Sequence, residues 1–382
     1  MRHNSDIAYI DQPLRLFRRR FGHYSGVWCR FRQNKFCGIH RQPKTNGKPK
    51  KQNLHSKGLP PPSGTGHCIR LKALPPALPM PLPTLNLSVP ASTSNLGVGF
   101  DALGVALGLK MEICWTPSPR VSVRRNRALA ESTLPTGRDP VVRGMRRAAR
   151  LIGQSLPTGS LDISANFPPG RGLGASGAGM VAGLILGNRL LKGKMPATSL
   201  LKEAIALEGH PENAVAALLG GAHWSVPLEK GDWKHLQVPL HRDLRFLLVI
   251  PPYSLDTAKS RRALPEKVSF KVAAHQARRV PALLEGLKSL DAKTLKEGLT
   301  DQLHTPNRLR LLAGARPIMD TASRAGALGA TLSGAGSAIL VLARTGGLRK
   351  LEQVLKNKVS RLWGQKGHVL LTRPHAKGAA FL

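Results

Sequence analysis

Aromatic side chains make up only 4% of this 382-residue sequence, acidic residues number 21 against 58 Lys and Arg, and cysteine occurs four times. Cys29, Cys37 and Cys68 lie within residues 1–79, which leaves Cys114 alone in the remainder, and no CxxC pair occurs. That distribution argues against a disulfide framework and against a zinc-binding cysteine cluster, and it points to a reducing, cytoplasmic setting. No uninterrupted apolar run approaches the roughly 20 residues that a membrane helix needs, so no membrane span is expected.

What is present is 41% hydrophobic residues with 39 Gly and 30 Pro, a composition that reads as an α/β protein with a real core. A length of 382 residues exceeds the usual single domain, so two domains with an appendage are expected. The formal charge of +37 is uneven: residues 1–79 hold sixteen Lys or Arg against Asp6 and Asp11, a balance of +14, and the rest of the chain carries +23. Basic surfaces gain affinity for nucleic acid by releasing counterions from phosphate polymers. A basic body equally suits a polyanionic nucleotide, and nucleic acid is not the expected partner.

Residues 1–83 show no sustained helical or strand period. They carry basic runs (Arg18 to Arg20, Lys48 to Lys51) and proline clusters (Pro60 to Pro62, Leu74 to Pro83), and so read as a disordered extension. A targeting peptide, a nucleic-acid arm and upstream sequence read from too early a start compete as explanations. Transit peptides are rich in serine, and residues 1–79 have only Ser5, Ser25, Ser56 and Ser63. A misassigned start is therefore favoured, with Met80 as the candidate; a genuine transit peptide would imply a plastid location. From Leu85 onward the pattern becomes short apolar strands and Ala/Gly/Leu-rich helices. A strand is expected over Leu161–Phe167 and a helix over Gly177–Leu191. Helices broken at Gly209-His210-Pro211 are expected over Leu200–Leu219, and a strand over Arg245–Ile250 opens a second half. That half should hold helices over Ala277–Leu290 and Pro317–Ala325 and a strand over Ala338–Leu342. The expected division is 84–243 and 244–382.

The sharpest motif is Pro168-Pro169-Gly170-Arg171-Gly172-Leu173-Gly174-Ala175-Ser176-Gly177, between an expected strand and an expected helix. Its glycines let backbone N–H groups approach an anion, and the following helix start offers unpaired N–H groups and a positive dipole end. A dinucleotide fingerprint would need an acidic residue about twenty positions on, and none lies between Asp162 and Glu203. A Walker A loop fails as well, because no Gly-Lys-Ser/Thr follows.

Four further segments accompany the loop: Leu87 to Leu107, Glu208 to Gly221, Leu255 to Pro265 with Leu303 to Leu309, and Gly329 to Ala343. Together with it they resemble the ordered motifs of the GHMP kinase family, and the first resembles its homoserine kinase branch. The resemblance covers Leu85 to the C-terminus. It implies an α/β (α+β) architecture: an N-terminal ATP-binding domain similar to ribosomal S5 domain 2, followed by a ferredoxin-like C-terminal domain. It implies transfer of the ATP γ-phosphoryl group to the hydroxyl of L-homoserine, with ATP and Mg2+ required, and a homodimer as the common assembly.

By the same resemblance the loop residues wrap the ATP phosphates and Ser176 and Glu208 hold magnesium. Asn95, Asp101, Asn213, Arg261 and Arg308 contact the amino-acid substrate, and Asp101 and Thr257 lie at the phosphoryl acceptor. Ser333 to Gly336 line the site. Two guanidinium forks suit a carboxylate in a way that lysine would not, although Arg262 competes with Arg261 for the register. Departures from the family pattern are Ala175 in place of a first serine, Glu212 where Asp is common, and Asp139-Pro140-Val141-Val142 where relatives have Asn-Leu-Val beside adenine. The mevalonate and galactose branches open with other signatures. Two alternatives stand beside this reading: a kinase of another carboxylate-bearing alcohol, and a retired kinase scaffold that binds nucleic acid.

Overall fold

A computed structural model describes residues 82–382 apart from Glu131 and Thr133. The expectations for the basic extension and for Met80 therefore lie outside the described residues. Strands β1 (Leu85–Asn95), β2 (Gly99–Pro117), β3 (Ser122–Arg127), β4 (Gly159–Ala165), β5 (Ala222–Pro227) and β6 (Trp233–Gln237) build the first sheet. Its helices are α1 (Pro140–Ile152), α2 (Ala175–Leu190), α3 (Ala197–Glu208) and α4 (Glu212–Leu219). Strands β7 (Leu244–Ile250), β8 (Gly329–Leu332), β9 (Ile339–Arg344) and β10 (His368–Thr372) form the second sheet. Between and after them come α5 (Thr257–Arg262), α6 (Phe270–Ser289), α7 (Ala292–Leu299), α8 (Thr305–Leu309), α9 (Ala315–Arg324) and α10 (Leu348–Trp363). The last strand, β11 (Ala380–Phe381), returns to the first sheet and pairs with β1.

The first sheet runs β11-β1-β2-β4-β3, with β5 on β2 and β6 on β5. The second runs β10-β7-β9-β8, all antiparallel. Its β7, β8-β9 hairpin and β10, with helices in the two crossovers, give the ferredoxin-like arrangement.

Sequence chemistry accounts for the main elements. Asp139 caps α1 by accepting from the Val141 N–H, and Pro140 occupies the first turn, where a missing N–H is harmless. Helix α2 is apolar nearly all round, so it is buried, packed between α1, α3 and the sheet. Gly209, in the left-handed region, ends α3 ahead of Pro211 and α4, which is the break the sequence announces. Strands β7 and β9 are buried on both faces. Leu247, Val249, Ile339 and Val341 join α9 and α10 in one core, whereas Phe246, Leu248, Leu340 and Leu342 join α6, α7 and the first sheet in the other. Helices α1 and α10 were not anticipated, and α6 begins earlier than its periodic stretch indicates. Among the described residues no helix is long and apolar enough to cross a membrane.

Candidate active site

The glycine loop follows β4 and turns through three left-handed glycines, Gly170, Gly172 and Gly174, before α2 begins at Ala175. A Cβ on Gly172 would overlap the Ser333 carbonyl oxygen, and one on Gly174 would overlap Ser92 Oγ, so a side chain at either position would force its neighbours to shift. Neighbouring segments tie back the loop carbonyls. Leu255 N donates to Gly170 O, Ala338 N to Arg171 O and Ser92 N to Leu173 O, each at 3.1 Å, and Ser333 Oγ donates to Gly172 O at 2.7 Å. With the carbonyls engaged outward, the first-turn N–H groups of α2 are left for an anion in the cleft.

Pro169, Gly170, Gly172, Leu173, Gly174, Ala175 and Ser176 line that cleft, whose volume is about 750 Å³. Pro168 and Gly177 stand behind its wall, and the Arg171 side chain turns away to donate to the carbonyls of Pro251 and Pro252 at 3.3 and 3.2 Å. Ser333 is buried and joins Thr93 Oγ1 to the loop, while Gly334 and Ala335 reach the cleft surface.

Glu208 ends α3 beside the Ser176 hydroxyl. Burial raises its pKa, Glu212 adds to the rise, and His210, the Ser176 hydrogen bond and Arg143 oppose it. Its Oε2 is buried without a partner, as is Oε2 of Glu212. His210 stands between them, with Nδ1 2.9 Å from Glu212 Oε1 and Nε2 3.9 Å from Glu208 Oε1. Burial works against the charged imidazole, but the two carboxylates prevail and its pKa is raised. Asn213 spends its amide internally, accepting from Ser92 Oγ at 2.9 Å and donating to Glu212 Oε1 at 3.1 Å.

At the other end of the cleft, Asn95 and Asp101 both adopt positive φ, 74° and 53°, a strain of the kind that functional sites retain. Asn95 Oδ1 accepts from the Asp101 N–H at 2.9 Å. The Asp101 carboxylate accepts from Nη1 and Nη2 of Arg261 at 2.9 and 2.8 Å. Of the two adjacent arginines Arg261 lines the cleft, whereas Arg262 faces solvent. Asp256 caps α5 and sets Thr257, its first residue, at the cleft rim. Arg308 is 1% exposed, and burial lowers its pKa to about 10, so it remains a cation at neutral pH.

The sequence reading missed one wall. Met111, Leu129, Leu134, Val141 and Ile163 make it apolar, and Arg125 closes it through a buried pair with Asp139, Nε and Nη2 standing 3.0 and 2.8 Å from Oδ2. Arg125 belongs to no motif; in the sequence this stretch shows only as Asp139-Pro140-Val141-Val142, the departure from the family pattern at the place expected beside adenine.

Residues 141–221 match the model for the GHMP kinases N terminal domain, and residues 283–360 match that for GHMP kinases C terminal. Homoserine kinase of Prochlorococcus marinus subsp. pastoris is 36% identical over 279 residues, covering 70% of this chain and 87% of the relative. Homoserine kinase of Thermosynechococcus vestitus is 38% identical over 258 residues, 67% of this chain and 85% of the relative. The crystal structure of homoserine kinase from Cytophaga hutchinsonii shares the fold at a TM-score of 0.69 and 24% identity, covering 78% of this chain and 97% of that one. Mevalonate kinase from L. major, in complex with R-mevalonate, shares it at a TM-score of 0.57 and 17% identity, covering 77% and 96%. Motif order, fold and this extent of identity agree: the chain belongs to the GHMP kinase family, in the branch of the homoserine kinases.

Proposed function

We infer that the chain transfers the γ-phosphoryl group of ATP to the hydroxyl of L-homoserine, giving O-phospho-L-homoserine for threonine biosynthesis. The observation that carries this reading is one cleft in which a glycine loop at a helix N-terminus meets Asp101, Arg261 and Arg308. The loop suits a polyphosphate; the carboxylate and the two guanidinium groups suit the ammonium and carboxylate of a zwitterionic amino acid. Within the reading, residues 84–243 form the ATP-binding domain and 244–382 the domain that brings the arginines.

Magnesium fits the residues present. Ser176 and Glu208 are an oxygen-only set, Glu208 keeps a buried oxygen without a partner, and magnesium draws its other ligands from phosphate and water. Held there, the ion would neutralise phosphate charge. The chain's own groups do the rest. Loop and α2 N–H groups orient the triphosphate, Arg308 and Arg261 take the carboxylate, Asn95 and Asn213 shape the pocket around the amino acid, and Asp101 pairs with its ammonium. Because both Asp101 oxygens already accept from Arg261, the transfer relies on in-line positioning and charge neutralisation more than on a strong base. Asp101 and Thr257 are assigned to the surroundings of the acceptor hydroxyl.

ADP release with ATP and magnesium, compared across L-homoserine, L-serine, mevalonate and galactose, tests the assignment. Homoserine-dependent turnover that falls at least 100-fold in Arg308→Ala is expected, about the loss when a charged, directional contact disappears. Turnover with only another alcohol would keep the kinase and discard the substrate. Folded protein without turnover, but with salt-sensitive RNA binding, would overturn the reading. A homodimer and a cytoplasmic location, or a plastid one if residues 1–83 are a transit peptide, complete the proposal. Sedimentation and the intact mass of native protein test them.

A further inference from the structure

Arg308 is almost wholly inside the protein yet touches the cleft, and its N–H groups divide unevenly. Nη1 lies 3.3 Å from His304 Nδ1 and 3.3 Å from the Gly334 carbonyl oxygen, which accounts for both hydrogens on that nitrogen. Nε is buried without a partner. It shares with Nη2 the edge of the guanidinium that grips a carboxylate side-on elsewhere in this chain, in Arg124 with Asp162 and in Arg125 with Asp139. The edge of Arg308 that carries the unpartnered Nε is thus the one whose geometry suits a carboxylate.

His304 faces the guanidinium at Nη1, away from that edge. Its Nε2 faces two acceptors, Gly97 O at 2.8 Å and Asp301 Oδ2 at 3.4 Å, so the ring proton belongs on Nε2 and Nδ1 presents a lone pair to Arg308. Asp301 cannot swing away: it accepts from the N–H groups of Leu303 and His304 at 2.8 and 3.0 Å and from the Gln276 amide at 2.8 Å. Phe100 fixes the ring plane, stacking on His304 with centroids 5.0 Å apart. The same phenyl ring also carries both guanidinium groups over its face, Arg308 at 5.2 Å and Arg261 at 5.9 Å from its centroid. His304 is fully buried and does not line the cleft, so any effect it has on substrate passes through Arg308.

We propose that His304 is a positioning residue for carboxylate recognition, its Nδ1 lone pair tying down Nη1 of Arg308 so that the Nε–Nη2 edge meets the substrate carboxylate. This deepens the function proposed above and rests on its assignment of Arg308. Protonation of His304 would set an N–H against the guanidinium and end the tether. Burial holds the pKa below the ordinary histidine value of 6.5; Asp301 opposes that shift, Arg308 adds to it, and the Gly97 carbonyl in the β1–β2 turn and Asp101 in β2 oppose it. The neutral, tethering form is therefore present at neutral pH and is lost only as the pH falls through a value under 6.5.

Two substitutions separate tethering from packing. His304→Asn keeps an acceptor near the place of Nδ1 and gives up the Gly97 bond, whereas His304→Gln keeps a donor near Nε2 and gives up the acceptor that faces Arg308. The assay is steady-state kinetics at saturating ATP with L-homoserine and with 3-amino-1-propanol, the same ammonium and alcohol without the carboxylate. His304→Gln is expected to raise KM for L-homoserine about tenfold more than KM for 3-amino-1-propanol, with a smaller effect on kcat. His304→Asn should retain most of the preference. The opposite ranking would reduce His304 to a tether for Gly97 and overturn the proposal. Arg308→Ala separates the two levels: if it keeps the preference for L-homoserine, the assignment of Arg308 falls; if it abolishes the preference and His304→Gln does not, only the positioning role falls. Nitrogen-15 spectra of the wild-type imidazole need no variant. A proton on Nε2 and a bare Nδ1 are expected at pH 7, and a proton on Nδ1 would overturn the tether.

Discussion

Gly172 and Gly153 allow one substitution to be read at two places that differ in surroundings but not in backbone. Both residues are left-handed, at φ 73° and 72°. At Gly153, which ends α1, an added Cβ meets nothing within 4 Å, so Gly153→Ala carries only the conformational cost of about 1 kcal/mol. At Gly172 the same Cβ would overlap the Ser333 carbonyl oxygen and stand 2.9 and 3.0 Å from O and N of Gly336. All three are backbone atoms, and Ser333 is tied to the loop through Gly172 O at 2.7 Å, so relief requires the phosphate loop to part from the Ser333 turn. Adding an overpacking cost of about 2 kcal/mol to the conformational one gives roughly 3 kcal/mol for Gly172→Ala. At about 2 °C per kcal/mol for a body of this size, Tm should fall by about 6 °C, against about 2 °C for Gly153→Ala. The ATP KM should rise by about tenfold in the first variant, reflecting misaligned loop donors, and stay put in the second. Differential scanning fluorimetry and ADP-release kinetics measure both quantities. Equal Tm shifts, or an unchanged ATP KM in Gly172→Ala, would refute the claim that this loop is held in a fixed conformation to receive phosphate.

Glu208→Gln removes a buried charge with one oxygen unpartnered, so thermal stability should hold or rise while kcat/KM drops by more than about 100-fold; a magnesium titration that still restored activity would count against the assignment. Asp101→Asn loosens a pair whose side chains are 32% and 37% exposed, worth less than about 1 kcal/mol, so Tm should move by under about 2 °C. The L-homoserine KM of that variant should nonetheless rise at least tenfold, the scale of a lost charge-assisted contact. Arg125→Ala leaves the Asp139 carboxylate buried without its cation, at a cost of about 3–5 kcal/mol, so a Tm drop of about 6–10 °C is expected, and a drop under 2 °C would mean that water reaches the pair.

The sequence alone determined the local features, because those depend on residues near one another in the chain. The β4–loop–α2 succession follows from a strand pattern, a glycine cluster and a small-residue helix; the break between α3 and α4 follows from Gly209 and Pro211; the doubly buried β7 and β9 follow from unbroken apolar runs. Motif order placed Asn95, Asp101, Ser176, Glu208, Arg261 and Arg308 in one family pattern. Helices α1 and α10 are less legible because their apolar stripes, Val141, Val142, Met145, Ala148 and Ala149 in α1 and Leu351, Leu355 and Val359 in α10, are narrow and the opposite faces are dense in arginine and lysine, so the segments read as polar overall. What only tertiary structure decided is which groups meet. Asp101 and Arg261 are 160 residues apart and pair at 2.8 Å, Arg125 finds Asp139 across a turn and a helix start, and Nδ1 of His304 meets Nη1 of Arg308 at 3.3 Å. Arg171, inside the sharpest motif, has a side chain that serves the scaffold instead of the cleft. Composition and spacing cannot report such outcomes, since the direction a side chain takes depends on how packed elements orient its backbone and on which partners remain to satisfy it once water is excluded.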